Sequence, residues 1–397
     1  MSARPQRPFL WLGFAVALAF SAGAAGARSY SVDNPPNPAY EAKVGREAME
    51  EVKKEYKFVT DPVQLKRLQT IVDTLAASSL RPDVKYHVYI VDTKEENAFS
   101  IPGGHICVTK GLMDAVDTDD ELAGVLAHEM GHNCTFDALN EANRSQQIEL
   151  PLLAAIVASA VLGHGSALGG VLPAGMYAYQ GIMSHYSLGI ESRADHNGVE
   201  FMVKSGKYNP VGMLVFMERL AAAERRQVHF DPGIYGDHPP SVDRAAAIER
   251  QIAAHGLDIN RRAVSKWDPP TVAPSKLGSQ DVQLLSLWKQ PVLAFNWAPA
   301  GTDVAGRGAA MVKALTAALA AGAQSPDFWR EPNSAVVQGS GQTILTVYPQ
   351  DADLQQTTPE ALADAVVKQI QAALAGEDLR RLYGTASAPG AAPAHAE

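Results

Sequence analysis

His128-Glu129-Met130-Gly131-His132 is the stretch of this 397-residue chain with the clearest chemistry of its own. On a helix, two histidines four residues apart stand one above the other on one face, close enough to bind one metal ion. Imidazole nitrogens suit zinc at about 2.0–2.1 Å. Glu129 lies one residue along, beside that face, and is the expected general base toward a water on the metal. The alternative is a chance match on a buried helix. Histidine is scarce, however, at 11 residues, and an apolar helix holding His, Glu and His with nothing to bind would bury groups that are costly to leave unpaired.

A third ligand must come from elsewhere in the chain. Thr135 and Ala138 stand where a G-x-x-H continuation would need Gly and His. Glu141 is too near, and Glu149 precedes Pro151 within a different segment. The strong candidate is Glu191-Ser192-Arg193-Ala194-Asp195, on a predicted helix ending near Ser205-Gly206. Glu191 and Asp195 are one turn apart on one face, which suits Glu191 on the metal and Asp195 orienting a ligand histidine. An acidic pair on a solvated face is the competing reading.

Composition limits what else the chain can do. The net charge is −9, without the clustered Lys and Arg of a nucleic-acid surface. Two cysteines, Cys107 and Cys134, cannot build a disulfide scaffold or a thiolate zinc site, and the sequence leaves open whether they pair. Any metal therefore relies on nitrogen and oxygen ligands. Residues 1–27 read as a cleavable signal peptide, with Arg4 and Arg7 before the apolar run Phe9 to Phe20 and Ala25-Gly26-Ala27 at the cleavage point. That run is too short to span a bilayer, so the expectation is a periplasmic or otherwise exported chain with no stable membrane span after cleavage.

The elements that must position the histidines follow from periodicity. Asn34-Pro35-Pro36-Asn37-Pro38 reads as a stiff linker. Residues 39–79 read as two amphipathic helices broken near Asp61-Pro62, with Leu65, Leu68, Ile71, Val72 and Leu75 at helical spacing in the second. Tyr86 to Val91, Asn97 to Ser100 and His105 to Thr109 read as strands, the last two flanking Pro102-Gly103-Gly104. A helix over 119–136 then carries the motif, with Thr118 and Glu121 as a capping box. Leu150 to Leu162 is apolar but too short to span, and the Gly-rich run His164 to Gly175 follows it, so a buried helix or a lid is expected there. His105, His185 and His196 fit no ligand spacing and read as lining or surface residues.

Val125 to His132, Glu191 to Asp195 and the run from Asn97 to Gly104 together resemble peptidase family M48, over roughly residues 39–253. The absence of multiple membrane spans points to its periplasmic BepA-like branch rather than to the HtpX-like or CAAX enzymes. The resemblance implies an α+β zincin fold, mostly helical, with a small sheet above the active-site helix. It implies one zinc per chain on His128, His132 and Glu191, with Asp195 behind them. It also implies that Asn97, Ala98 and Phe99 lie on a substrate-facing strand, where an unfolded polypeptide adds as a further strand. Asp237 to Arg244 is similar to the family's H-P-x-x-x-x-R pattern. His238 and Arg244 are thus candidate catalytic donors to the oxyanion, and His238 could instead be a fourth ligand that holds the resting site shut. The expected activity is hydrolysis of misfolded or misassembled envelope proteins, with envelope assembly machinery as a possible partner. The competing class is a chaperone-like binding protein with little turnover, but an intact Glu129 favours the enzyme.

Beyond Gly256 the resemblance ends. The expected organisation is a signal peptide at 1–27, a peptidase domain at 28–257, a linker at 258–281, an accessory α+β domain at 282–384 and a disordered tail at 385–397. Within the accessory domain, Val292 to Phe295 and Thr343 to Tyr348 read as strands, Ala309 to Ala321 and Pro359 to Leu374 as helices. No tetratricopeptide pattern is present, a departure from the BepA-like arrangement.

Overall fold

The computed structural model describes residues 29–144, 187–225 and 242–383. The expected signal peptide and tail, the apolar and Gly-rich runs between 150 and 175, His185 and His238 lie outside the described residues.

Helix α1 (Pro38–Glu55) starts where the sequence reads as a linker. Pro38 takes the first helical position, which needs no N–H donor, and the Asn37 side chain accepts from the N–H groups of Ala39 and Tyr40. Strand β1 (Phe58–Val59) is too short to show in the sequence. Asp61 caps α2 (Pro62–Ala76), which buries Leu68, Ile71, Val72 and Leu75 at the expected spacing.

Strands β2 (His87–Val91), β3 (Ala98–Ile101) and β4 (His105–Thr109) join β1 in a sheet of order β1-β2-β4-β3. β2 and β4 run parallel and the other pairs antiparallel. The β3–β4 turn puts Gly103 and Gly104 both at φ 84°, and a Cβ on Gly104 would lie 2.9 Å from the Lys85 carbonyl oxygen. β3 is an outer strand of the sheet, β1 being the strand at the other edge.

After the short α3 (Lys110–Ala115), helix α4 (Asp119–Cys134) carries the H-E-x-x-H stretch. Thr118 Oγ1 accepts from the Glu121 N–H at 3.3 Å, and the Glu121 carboxylate accepts from the Asp117 N–H at 3.0 Å. The expected capping box is present on the threonine side, while its return bond lands one residue early. α4 also stops short of Phe136, whose φ of 58° is left-handed. Then come α5 (Asp137–Arg144), α6 (Leu188–Ser205), α7 (Val211–Arg225) and α8 (Val242–Ala254). α6 ends at Gly206, φ 60°, where the sequence predicts. It packs against α4 at Gly131, where a Cβ would sit 2.9 Å from the Ala194 carbonyl oxygen. Only glycine permits that approach.

The C-terminal elements build a second core. β5 (Thr271–Leu277), β6 (Gln280–Leu287) and β7 (Gln290–Phe295) form one antiparallel sheet. β8 (Phe328–Arg330), β9 (Val336–Gly339) and β10 (Gln342–Thr346) form another. With α9 (Val304–Ala320), α10 (Pro349–Leu354) and α11 (Pro359–Tyr383) they enclose Phe295, Leu315, Phe328 and Ile370. The fold is α+β as expected, but richer in strands than the β-α-β-α reading. β5 occupies the second half of the expected linker at 258–281, a correction to that boundary. Among the described residues no helix is long and apolar enough to cross a membrane.

Candidate metal centre

Helix α4 is buried along nearly its whole length, so its polar residues must find partners inside the protein. His128 and His132 turn their Nε2 atoms toward each other at 3.0 Å. From α6, Glu191 Oε2 lies 3.5 Å from His128 Nε2 and Oε1 lies 3.3 Å from His132 Nε2. A tetrahedral metal with bonds of about 2.0–2.1 Å spaces its ligand atoms at about 3.3 Å. The three residues form a group that could hold a metal ion, and their donor set fits one.

Each outward-turned ring nitrogen meets a carboxylate. His128 Nδ1 lies 2.9 Å from Asp195 Oδ1, the contact expected of the i,i+4 pair on α6. His132 Nδ1 lies 3.0 Å from Oδ2 of Asp137, a residue the sequence reading passed over. Thr135 Oγ1 and Arg193 Nη2 donate to Asp137 at 2.8 and 2.5 Å. Asp137 begins α5 just past the break at Phe136, so no helical offset from His132 announces it.

Arg244, on α8, is 3% exposed. Its Nε and Nη2 donate to Asp195 at 2.7 and 2.8 Å, and Nη1 lies 2.8 Å from Glu191 Oε2. The sequence reading cast Arg244 as a donor to the reacting carbonyl; the structure directs its guanidinium onto the two carboxylates instead. Burial opposes the charge of His132, but hydrogen bonds to Asp137 and Glu191 override it and hold the imidazole up at about 10. His128 is held above its ordinary value in the same way, against burial, by Asp195 and Glu191. Burial works against ionised Asp195 too, yet Arg244 and His128 keep it below the usual carboxylate range. The cluster stabilises positive charge, as a cation site must.

Glu129 is buried within the same cluster, near enough for its charge to favour the cationic forms of Arg244 and His132. Asn97, Ala98 and Phe99 fall at the start of the outer strand. Thr109 N–H donates to the Asn97 carbonyl at 2.9 Å, which fixes the alternation of the ladder. Residues 99 and 101 then bond to β4, while Ala98 and Ser100 turn their backbone groups to the outer edge. The Asn97 side chain takes the Ala98 N–H at 2.8 Å, leaving Ser100 as the residue that presents both groups. Cys107 and Cys134 are free and buried apart, Cys134 beside the Tyr86 hydroxyl and Cys107 beside Met49. His105 lies on β4 beside the Tyr89 hydroxyl, held down at about 4 by burial and by the neighbouring His87. His196 is exposed, and its backbone carbonyl accepts from the Gln251 side chain at 3.1 Å.

A buried H-E-x-x-H helix beneath a small sheet, with a glutamate from a packed helix completing the donors, defines a metal-dependent peptidase. Known proteins place it more closely. The profile of peptidase family M48 matches residues 62–252, and that of a domain of unknown function matches residues 299–377. The chain is similar to the metalloprotease LoiP of Escherichia coli, 33% identical over 194 residues that cover 48% of this chain and 72% of that one. It is 34% identical to the metalloprotease YcaL of the same organism, over 48% of this chain and 70% of YcaL. A beta-barrel assembly-enhancing protease of Yersinia pestis is 31% identical over 46% of this chain, a match spanning only 37% of that protein's length. The chain belongs to peptidase family M48 and is a metalloendopeptidase.

Proposed function

We propose that this chain is a zinc endopeptidase of the bacterial envelope that cleaves misfolded or misassembled proteins, with envelope assembly machinery as a partner. The observation that carries the catalytic part is the meeting of His128 Nε2, His132 Nε2 and Glu191 within 3.0–3.5 Å, beside Glu129. Those three residues would hold the zinc, which when bound polarises the scissile carbonyl and acidifies water. Glu129 accepts a proton from the attacking water and returns it to the leaving amine. Asp195 and Asp137 fix the orientation of the two imidazoles, and Arg244 holds Glu191 and Asp195 in place, a positioning role. An extended substrate pairs with the outer strand at Ser100, beside Ala98. The envelope assignment rests on the name of the Yersinia relative and on the signal-like residues 1–27.

The test is metal analysis of the purified chain together with casein cleavage, with and without a chelator. About one zinc per chain and chelator-sensitive cleavage are expected. Glu129→Gln should keep its metal and lose cleavage by about 10²–10⁴-fold. Zinc without cleavage of any unfolded substrate would replace the enzyme by a chaperone-like binding protein.

A further inference from the structure

Asp137 can orient His132 only while the chain between them keeps its shape, and that shape is a strained one. α4 ends at Cys134, and Phe136 turns the chain at φ 58°, left-handed backbone that a bulky residue rarely adopts. Asp137 follows at once, with Oδ2 3.0 Å from His132 Nδ1. Strain of this kind persists only where the surroundings over-determine the conformation. The Phe136 ring, 3% exposed, is held from two directions. The Arg81 guanidinium lies 4.3 Å from the ring centre, itself fixed by both Glu41 oxygens and the Asn133 carbonyl. The Tyr30 ring makes a T-shaped contact with it, centroids 6.4 Å apart and planes at 64°.

Tyr30 stands only three residues beyond Ala27 of the expected cleavage point, yet its backbone is fastened on both sides. Asn140, on α5, offers both ends of its side-chain amide. Oδ1 accepts from the Tyr30 N–H at 2.6 Å, and Nδ2 donates to the Tyr30 carbonyl at 3.0 Å. The same Nδ2 donates to the Thr135 carbonyl at 3.2 Å, and Thr135 Oγ1 in turn donates to Asp137 Oδ2 at 2.8 Å. One amide thus joins the N-terminal segment, the chain leaving α4 and the helix that Asp137 begins. We propose that Tyr30 and Asn140 form a clamp that positions Asp137, and through it the His132 imidazole, for metal binding. Both are positioning residues: Tyr30 acts through Phe136, and Asn140 acts through Tyr30 and Thr135. The N-terminal segment is then a working part of the metal centre rather than a spacer ahead of α1.

The clamp rests on the metal-site reading, and its test is metal affinity rather than cleavage. Zinc is competed between the purified chain and a chromogenic chelator, well below the melting temperature of every variant. There a merely loosened fold stays folded and binds zinc as tightly as before, because its competent fraction is unchanged. Asn140→Ala removes the bonds to Tyr30 and Thr135 and should weaken zinc binding by roughly tenfold, the lower end of what the partners of ligands contribute. In a chain that already carries Asp137→Asn the same change should have little further effect, because the coupling runs through that carboxylate. Tyr30→Ala should weaken binding as well, whereas Tyr30→Phe keeps the ring and should bind as wild type. Wild-type affinity in Asn140→Ala overturns the proposal, and so does a loss undiminished in the Asp137→Asn background. If Asn140→Ala does not fold, the two Tyr30 variants decide, and equal affinities overturn the clamp. A wild type that takes up no zinc strikes the metal-site reading and the clamp with it, whereas zinc binding that no clamp variant alters strikes the clamp alone.

Discussion

Asp137 does for His132 what Asp195 does for His128, yet only one of the two was legible in the sequence. Asp195 sits a helical turn beyond Glu191, and a turn is a fixed offset that a sequence displays. Asp137 follows a left-handed Phe136, and its approach to His132 depends on how the chain leaves the helix. Arg244 shows the opposite case: its residue type was singled out, but its role was not. Whether a buried guanidinium faces a substrate or a carboxylate depends on α8 packing against α6, which no local spacing encodes. The structure makes Asp137 testable. Asp137→Asn keeps the shape but weakens the acceptor that orients the His132 ring. Metal affinity, measured by competition with a chelator, should fall by about 10–100-fold while the circular dichroism spectrum stays native. An unchanged affinity would make Asp137 a contact of the fold alone.

At the scale of elements, α2 was readable from a buried stripe at 3.6-residue spacing, α4 from its threonine cap and the H-E-x-x-H spacing, and α6 from the Glu191–Asp195 spacing and its terminal glycine. Strands were readable where apolar, aromatic or β-branched residues cluster, in β2, β3, β4, β7 and β10. β1 is two residues long, and β5 contains Pro274, which argues against a strand unless it lies at an edge. β5 does lie at an edge of its sheet, so the proline is accommodated there. What the sequence could not show is how closely α4 and α6 pack. The distance from Glu191 to the histidines is set by Gly131 against Ala194, and Gly131→Ala would put a methyl within 3.1 Å of backbone atoms Ala194 O and Cα. α6 would have to move, carrying Glu191 with it. Stability should drop by about 1–3 kcal/mol, and kcat/KM by on the order of 10²-fold, because a displacement of about 1 Å at a ligand is enough for that loss. Thermal melting and peptide kinetics on the same preparation check both; full activity would mean that α6 is free to shift without disturbing the ligands.

At the scale of the whole molecule, the first part of the segment expected as a linker at 258–281 is a joint. Val264 is fully buried in the core that surrounds α4, and its carbonyl accepts from Thr118 Oγ1, the cap of that helix, at 2.6 Å. Three residues later, Trp267 packs against the C-terminal core. Consecutive arginines reach in opposite directions from this crossing. Arg261 holds Glu218 on α7 and Glu249 on α8, while Arg262 holds Glu377 on α11 and the Ala323 carbonyl. The local sequence does not display these pairings, because Glu218 lies 43 residues from Arg261 and Glu377 lies 115 from Arg262. If the joint ties the two cores, Arg262 and Glu377 must be energetically coupled, since their side chains are largely buried at 7% and 25% exposure. In a double-mutant cycle, Arg262→Ala and Glu377→Ala should each lower stability, and the double variant should lose less than the sum by roughly 1–2 kcal/mol. The metal content of all three should match wild type, because no ligand or ligand-holding carboxylate is touched. Additive losses would show that the ion pair contributes nothing to holding the cores together, and would leave that task to the packing of α11 against α7.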